Sequence, residues 1–174
     1  MRKILRNRLA LSTVITTLII LVVSVLLAGV VTYFAIHVVS TRVQQESLSL
    51  TFTHVWVGPT GTSQAAIVVK NTGGRDVVIN KIEVRGIAGT FGTNVFTNAA
   101  STDPAAVAAT TGLNATVANT PITLASGSSI QVYITDPTSV SINDIGTTIG
   151  ITVFTANAMY YQETNVQATT TNLA

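Results

Sequence analysis

Hydrophobic positions along this chain follow two regimes that meet near residue 46. From Leu9 to Ser40, 32 consecutive residues include no Asp, Glu, Lys, Arg or Pro, well beyond the roughly 20 apolar residues that span a bilayer core. The STRVQQE that follows contains neither Gly nor Pro. The pattern predicts one helix over 11–46, about 54 Å long at about 1.5 Å per residue. That exceeds a hydrocarbon thickness of about 30 Å, so part of the helix must stand clear of a membrane or pack on something else. It also outruns the roughly 7–15 apolar residues of a cleaved secretory signal and has no small-residue cleavage site at its far end.

Beyond Glu46 the period becomes two. In ESLSLTFTHVWV, Leu48, Leu50 and Phe52 alternate with Ser49, Thr51 and Thr53, which predicts a strand with those three apolar side chains facing a core. GPTGT (58–62) reads as a turn, QAAIVVKN as a second strand and NTGGRD (71–76) as a second turn. VVINKIEVRG makes a third strand with Lys81, Glu83 and Arg85 on its wet side. Phe91, Val95 and Phe96 suggest a short strand, and 98–120 reads as a long surface insertion, a length that is uncommon without a function or disorder. Alternation returns in SIQVYIT, TTIGITVFT and AMYYQETNVQA, after which TTTNLA is expected to fray or to pair with a neighbour. About seven short strands separated by turns predict an immunoglobulin-like sandwich. The expected architecture is a long N-terminal hydrophobic α-helix followed by an all-β sandwich head over 47–174.

Charge changes the picture in one respect. Charged residues make up 9% of the chain, against roughly 25% in a typical soluble protein. Of the nine Lys and Arg, Arg2, Lys3, Arg6 and Arg8 precede the apolar run, leaving five against seven Asp and Glu. The basic end is therefore an orientation signal that keeps residues 1–10 cytoplasmic and puts the head outside. It is not a nucleic-acid patch, which needs clustered cations. The absence of cysteine removes disulfides, zinc ribbons and thiol nucleophiles.

Candidate chemistry is sparse. His37 and His54 lie on different elements, short of the clustered ligands a metal site needs, so neither a metal nor a cofactor is expected. The seven acids, Glu46, Asp76, Glu83, Asp103, Asp136, Asp144 and Glu163, are scattered, and Asp76, Asp136 and Asp144 sit in turn contexts where Asp bonds local backbone. GIAGTFG (86–92) fits neither dinucleotide nor Walker spacing, and no GxSxG occurs. Trp56 reads as a filler of the core or of the helix–head junction, and Tyr160 or Tyr161 as a sheet-surface ring. No catalytic residue is assigned and no enzyme is expected. NAT makes Asn114 a candidate N-glycosylation acceptor. On the helix, Thr13, Thr17, Ser24, Ala28, Thr32 and Ala35 fall within an arc of about 100°. Such a face of small residues lets helix backbones approach closely in apolar surroundings.

RLALSTVITTLIILVVSVLLAGVVTYF resembles the N-terminus of archaeal type IV pilins: a short basic leader, a small residue, then a long hydrophobic helix. AIVVKNTGGRDVVINKIEVRG is similar to the strand–NTG–strand hairpin of their heads, and ITLASGSSIQVYI and ITVFTANAMYYQETNV to their later strands. The likeness covers most of the chain apart from 98–120. It implies removal of the leader, residues 1–10, by a prepilin peptidase cutting between Ala10 and Leu11, although Leu9 and not a basic residue precedes Ala10. It implies a membrane-anchored precursor whose helix is later drawn into the core of an extracellular, adhesive homopolymer. The partners would then be other copies of the chain, the assembly machinery and, before assembly, the membrane. Archaellum stator components share a similar helix-plus-sandwich layout. The alternative expectation is therefore a membrane-anchored accessory protein that binds a surface layer or a filament; an archaellin or an anchored hydrolase stands further off.

Overall fold

The computed structural model describes residues 2–43, 45–108, 115–119 and 121–173, in two compact units, Met1–Val43 and Gln44–Ala174. The first unit is one helix, α1 (Arg2–Val43). Nothing in its sequence breaks it: there is no Pro, and the single Gly29 costs about 1 kcal/mol relative to Ala. The helix includes the basic leader and stops short of the expected Glu46. The reason lies in the head, where Glu46 and Ser47 are held by other partners, described below.

The second unit is built from β1 (Leu48–Val57), β2 (Ser63–Asn71), β3 (Val77–Val84), β4 (Ile87–Ala88), β5 (Val95–Asn98), β6 (Thr116–Val117), β7 (Ile122–Leu124), β8 (Ser129–Thr135), β9 (Thr148–Thr155) and β10 (Met159–Ala168), with a 3₁₀ turn at Ile142–Asp144. The strand order is β4-β3-β9-β10-β1-β2-β8-β5-β6, with β7 paired to β3. The two layers of the expected sandwich are thus one sheet curled over itself. Strand β10 makes this possible by serving both leaves. Met159–Asn165 pair antiparallel with β9, whereas Val166, Gln167 and Ala168 pair in parallel with Val55, Trp56 and Val57. Inward side chains of both leaves share one core, including Val55, Ile67 and Ile134 from one and Ile82, Ile151 and Val153 from the other.

The alternation read from β1 holds for only half the strand. Leu48 is buried and Leu50 packs against the core, but Phe52 is 49% exposed. Between Thr51 and His54 the pairing with β2 slips, so that Phe52 and Thr53 together face Ile67. Phe52 adopts φ +49°, a left-handed conformation that costs a bulky residue about 1–2 kcal/mol. This β-bulge reverses the strand's parity: beyond it Val55 and Val57 face the core and His54 and Trp56 the opposite side. Phe52 is therefore not a core residue.

Candidate functional site

On α1, the most apolar 18-residue stretch within Leu11–Ser40 has a mean hydropathy of 3.0, and none of the span is buried. By length and composition this helix can cross a membrane. Four of its hydroxyls are turned onto their own backbone: Thr16 donates to Ser12 O (2.8 Å), Thr17 to Val14 O (2.9 Å), Ser24 to Ile20 O (2.7 Å) and Thr32 to Ala28 O (2.7 Å). A hydroxyl left without a partner in an apolar medium costs roughly 2–7 kcal/mol; bonded in this way, Thr and Ser behave as small residues. Thr17, Ser24, Ala28, Thr32 and Ala35, with Thr13, lie on the continuous helix as one exposed face. The helix runs unbroken across Ala10 and Leu11, and Leu11 is exposed. His37 stacks on Tyr33 one turn away, with ring centroids 5.8 Å apart. Asn114 lies outside the described residues, as do 109–113 and Thr120 of the expected insertion.

At the start of the head, the NTG of residues 71–73 acts as a clamp. Asn71 is fully buried; its amide nitrogen donates to Arg75 O (2.8 Å) and Leu124 O (3.1 Å), and its amide oxygen accepts from Gly73 N (3.0 Å). This shapes the turn so that Thr72 N and Gly73 N reach Ser47 O (2.9 and 3.1 Å) and Gly74 N reaches Gln45 O (3.3 Å). A Cβ on Gly73 would come within 2.5 Å of Gln45 O and 2.7 Å of Ser47 N, so only glycine fits. From the other leaf, the Glu46 carboxylate accepts from Thr155 Oγ1 and from Asn157 Nδ2 (2.8 Å). Burial, followed by the charge of Glu46, pushes the Tyr160 hydroxyl above its ordinary pKa.

The outer face of β1, β2, β8 and β5 is covered, against expectation for an alternating strand. Trp56, Ala66, Tyr133 and Leu173 form a second buried cluster, flanked by Phe96, Ala106 and Val107. Residues 100–108, read in sequence as part of a free insertion, lie across it. Gln131 Nε2 donates to Thr102 O (2.7 Å), Val107 N donates to Gln64 Oε1 (2.9 Å) and His54 Nε2 meets Asp103 Oδ1 (2.8 Å). The His54 ring stacks on Trp56 at 5.1 Å. The tail does not fray: Leu173 is buried and bridges Ala108. Trp56 accordingly fills an outer cluster of the head.

Asp144 bonds the backbone of its own turn as expected, whereas Asp76 reaches a distant one. Asp76 accepts from Ser126 N (3.0 Å), and Asp144 accepts from Ser141 N (2.8 Å) and from Arg85 Nη1 (2.7 Å). The Arg85 guanidinium first, then the Ser141 donors, hold the Asp144 carboxyl below the usual carboxylate range. Lys81 pairs with Glu83 at 2.7 Å and sits 4.1 Å above the Phe154 ring. Among the described residues no three of His, Cys, Asp and Glu converge. An open hollow of about 260 Å³ beside β4 is lined by Ile87, Ala88, Gly89, Thr90, Asn94, Ile134, Pro137 and Thr138, none of which titrates. No protein-family model matches the chain, and no curated protein does.

Proposed function

We propose that this chain is a structural subunit that assembles with copies of itself, through α1, into an extracellular filament of the archaeal type IV pilus kind, used for surface attachment. The observation that carries the reading is a 30-residue apolar span with no part buried in which the hydroxyls of Thr16, Thr17, Ser24 and Thr32 close on carbonyls of the same helix. Such a surface suits lipid before assembly and the flanks of other helices after it. Moving between the two is nearly neutral in apolar transfer, so close packing of the small-residue face supplies the gain. The low charge of the head lets neighbouring heads sit close. In this reading the leader is removed between Ala10 and Leu11, the head is exported, and the chain carries out no catalysis of its own.

The second reading is a membrane-anchored accessory protein that binds a surface layer or filament. The observation on its side is that α1 continues without interruption across Ala10–Leu11, as a permanent anchor would. Intact-mass measurement and N-terminal mapping on sheared surface material separate the two. A chain beginning at Leu11 and pelleting as filaments is the expected result. A chain that keeps residues 1–10 and stays in membranes would replace the filament with the anchor.

A further inference from the structure

The head presents two complementary exposed surfaces, and resting on the filament reading we infer that they meet between copies. The first lies on the outer side of β10 and the adjoining bulge. Met159 is 63% and Tyr161 57% exposed. The Tyr161 ring lies flat on the sheet, because an ideal Cβ on Gly150 would fall 2.2–2.6 Å from its Cε2, Cζ and Oη. Its hydroxyl donates to Glu163 Oε1 at 3.0 Å. Phe52 joins this surface across the seam: Val55 pairs with Val166 in parallel register and Thr164 Oγ1 donates to Thr53 O (2.8 Å), which brings Phe52 level with Glu163. A glycine would take φ +49° without strain; this chain places an exposed phenylalanine there instead. Backbone strain that presents an apolar ring to the outside is the kind of feature that marks a functional surface.

The occupant follows from charge. Of the head's Lys and Arg side chains, Lys81 is paired with Glu83 and Arg85 with Asp144. Lys70 and Arg75, both exposed and five residues apart around the NTG turn, have no carboxylate within ion-pair distance among the described residues. Among the described residues Glu163 has no cation within that distance either. The cation nearest this surface, Lys81 above the Phe154 ring opposite Met159, is already paired with Glu83, so a second copy of this chain offers in Lys70 and Arg75 the partner that Glu163 does not find on its own sheet. Two different patches meeting head to tail form a heterologous contact, which does not make a two-fold dimer and propagates into an open assembly wherever its rotation does not close a ring.

The test is a charge swap in the full chain. Glu163→Lys and Arg75→Glu should each lower the mass of pelleted filament about fivefold at low salt, the scale of one exposed ion pair, and the double reversal should restore it. Equal thermal midpoints for the parent and all three variants exclude a folding effect. If the parent forms filaments and the single reversals pellet like it, or the double variant pellets no better than the worse single, the contact is wrong while the filament stands. If the parent itself forms no filaments, the filament reading fails and this contact with it.

Discussion

The ring of Tyr161 occupies the space that any side chain on Gly150 would need, with Cε2 only 2.2 Å from where a Cβ would stand. Strands β9 and β10 pair directly there, Gly150 opposite Glu163 and Thr152 opposite Tyr161, so a bare backbone position on one strand seats the aromatic of the next. Gly150→Ala displaces the free end of an exposed side chain and not backbone. The stability loss should stay within about 1 kcal/mol, while the near-ultraviolet dichroism of the tyrosines changes and filament yield falls. A loss of more than about 3 kcal/mol would mean that the ring cannot swing away.

At the NTG clamp the neighbours are backbone atoms and cannot give way. Gly73→Ala forces apart the turn and Gln45–Ser47, and Asn71→Ala leaves the carbonyls of Arg75 and Leu124 without their buried donor. Each should lower unfolding stability by about 2–3 kcal/mol. Denaturant unfolding followed by fluorescence of Trp56, the chain's only tryptophan, reads this directly. A change below about 0.5 kcal/mol would show that the clamp contributes little.

Phe52 gives the opposite sign. Were it a core residue, its truncation would cost about 3–5 kcal/mol. On the bulge, Phe52→Asn keeps the left-handed backbone with a residue that tolerates it, and stability should be unchanged or rise by about 1 kcal/mol. Phe52→Val, β-branched at the same φ, should be destabilised by about 1–2 kcal/mol relative to the parent. A ranking with Val above Asn overturns this account.

These residues also show how far the chain could be read in advance. Length and apolarity alone carried α1, and period two carried β8, β9 and the wet side of β3, where alternate residues meet the shared core, while β2 and β10 were legible as apolar-rich segments between turns. A bulge has no periodic signature, so Phe52 looked like a third core position. The covered outer face has no apolar signature at Gln64 and Gln131, polar residues that are nevertheless buried where 100–108 cross the strands. A clue was present: Trp56 and Tyr133 share the parity of polar neighbours on adjacent strands, more aromatic surface than a solvated face carries. The short β4, β6 and β7 have two or three residues each, too few for any pattern. Of the proposed assembly surface, the helix face was legible as small-residue spacing, whereas the seating of Tyr161 over Gly150 depends on pairing that no local pattern encodes.

Acid should probe Asp144. Its native carboxyl titrates below the ordinary range, with Arg85 the first cause, so its charged form stabilises the fold. That contribution is complete above the unfolded carboxylate value of about 4 and disappears as pH falls through the lowered native value. The stability difference between the parent and Asp144→Asn should be constant from neutral pH down to about 5 and shrink below about 4. A difference that stays flat to about pH 2 would remove the Arg85–Asp144 pair from the explanation.

The small-residue face on α1 makes a prediction that leaves the head untouched. Ala28→Phe adds apolar bulk to the helix, so membrane insertion should persist while close helix approach is blocked. Filament mass should fall at least about tenfold, the effect of losing roughly 1.4 kcal/mol per contact, with the protein recovered in the membrane fraction. Normal filaments from this variant would move the packing face elsewhere on the helix.

The grip on Gln45–Ser47 has a mechanical meaning. Tension applied along the chain from its N-terminal side enters the head at these residues before it reaches β1. There it meets the β2–β3 turn through Ser47 and Gln45, and the β9–β10 turn through Glu46. A pull from that side thereby loads bonds to both leaves before it reaches the pairing of β1.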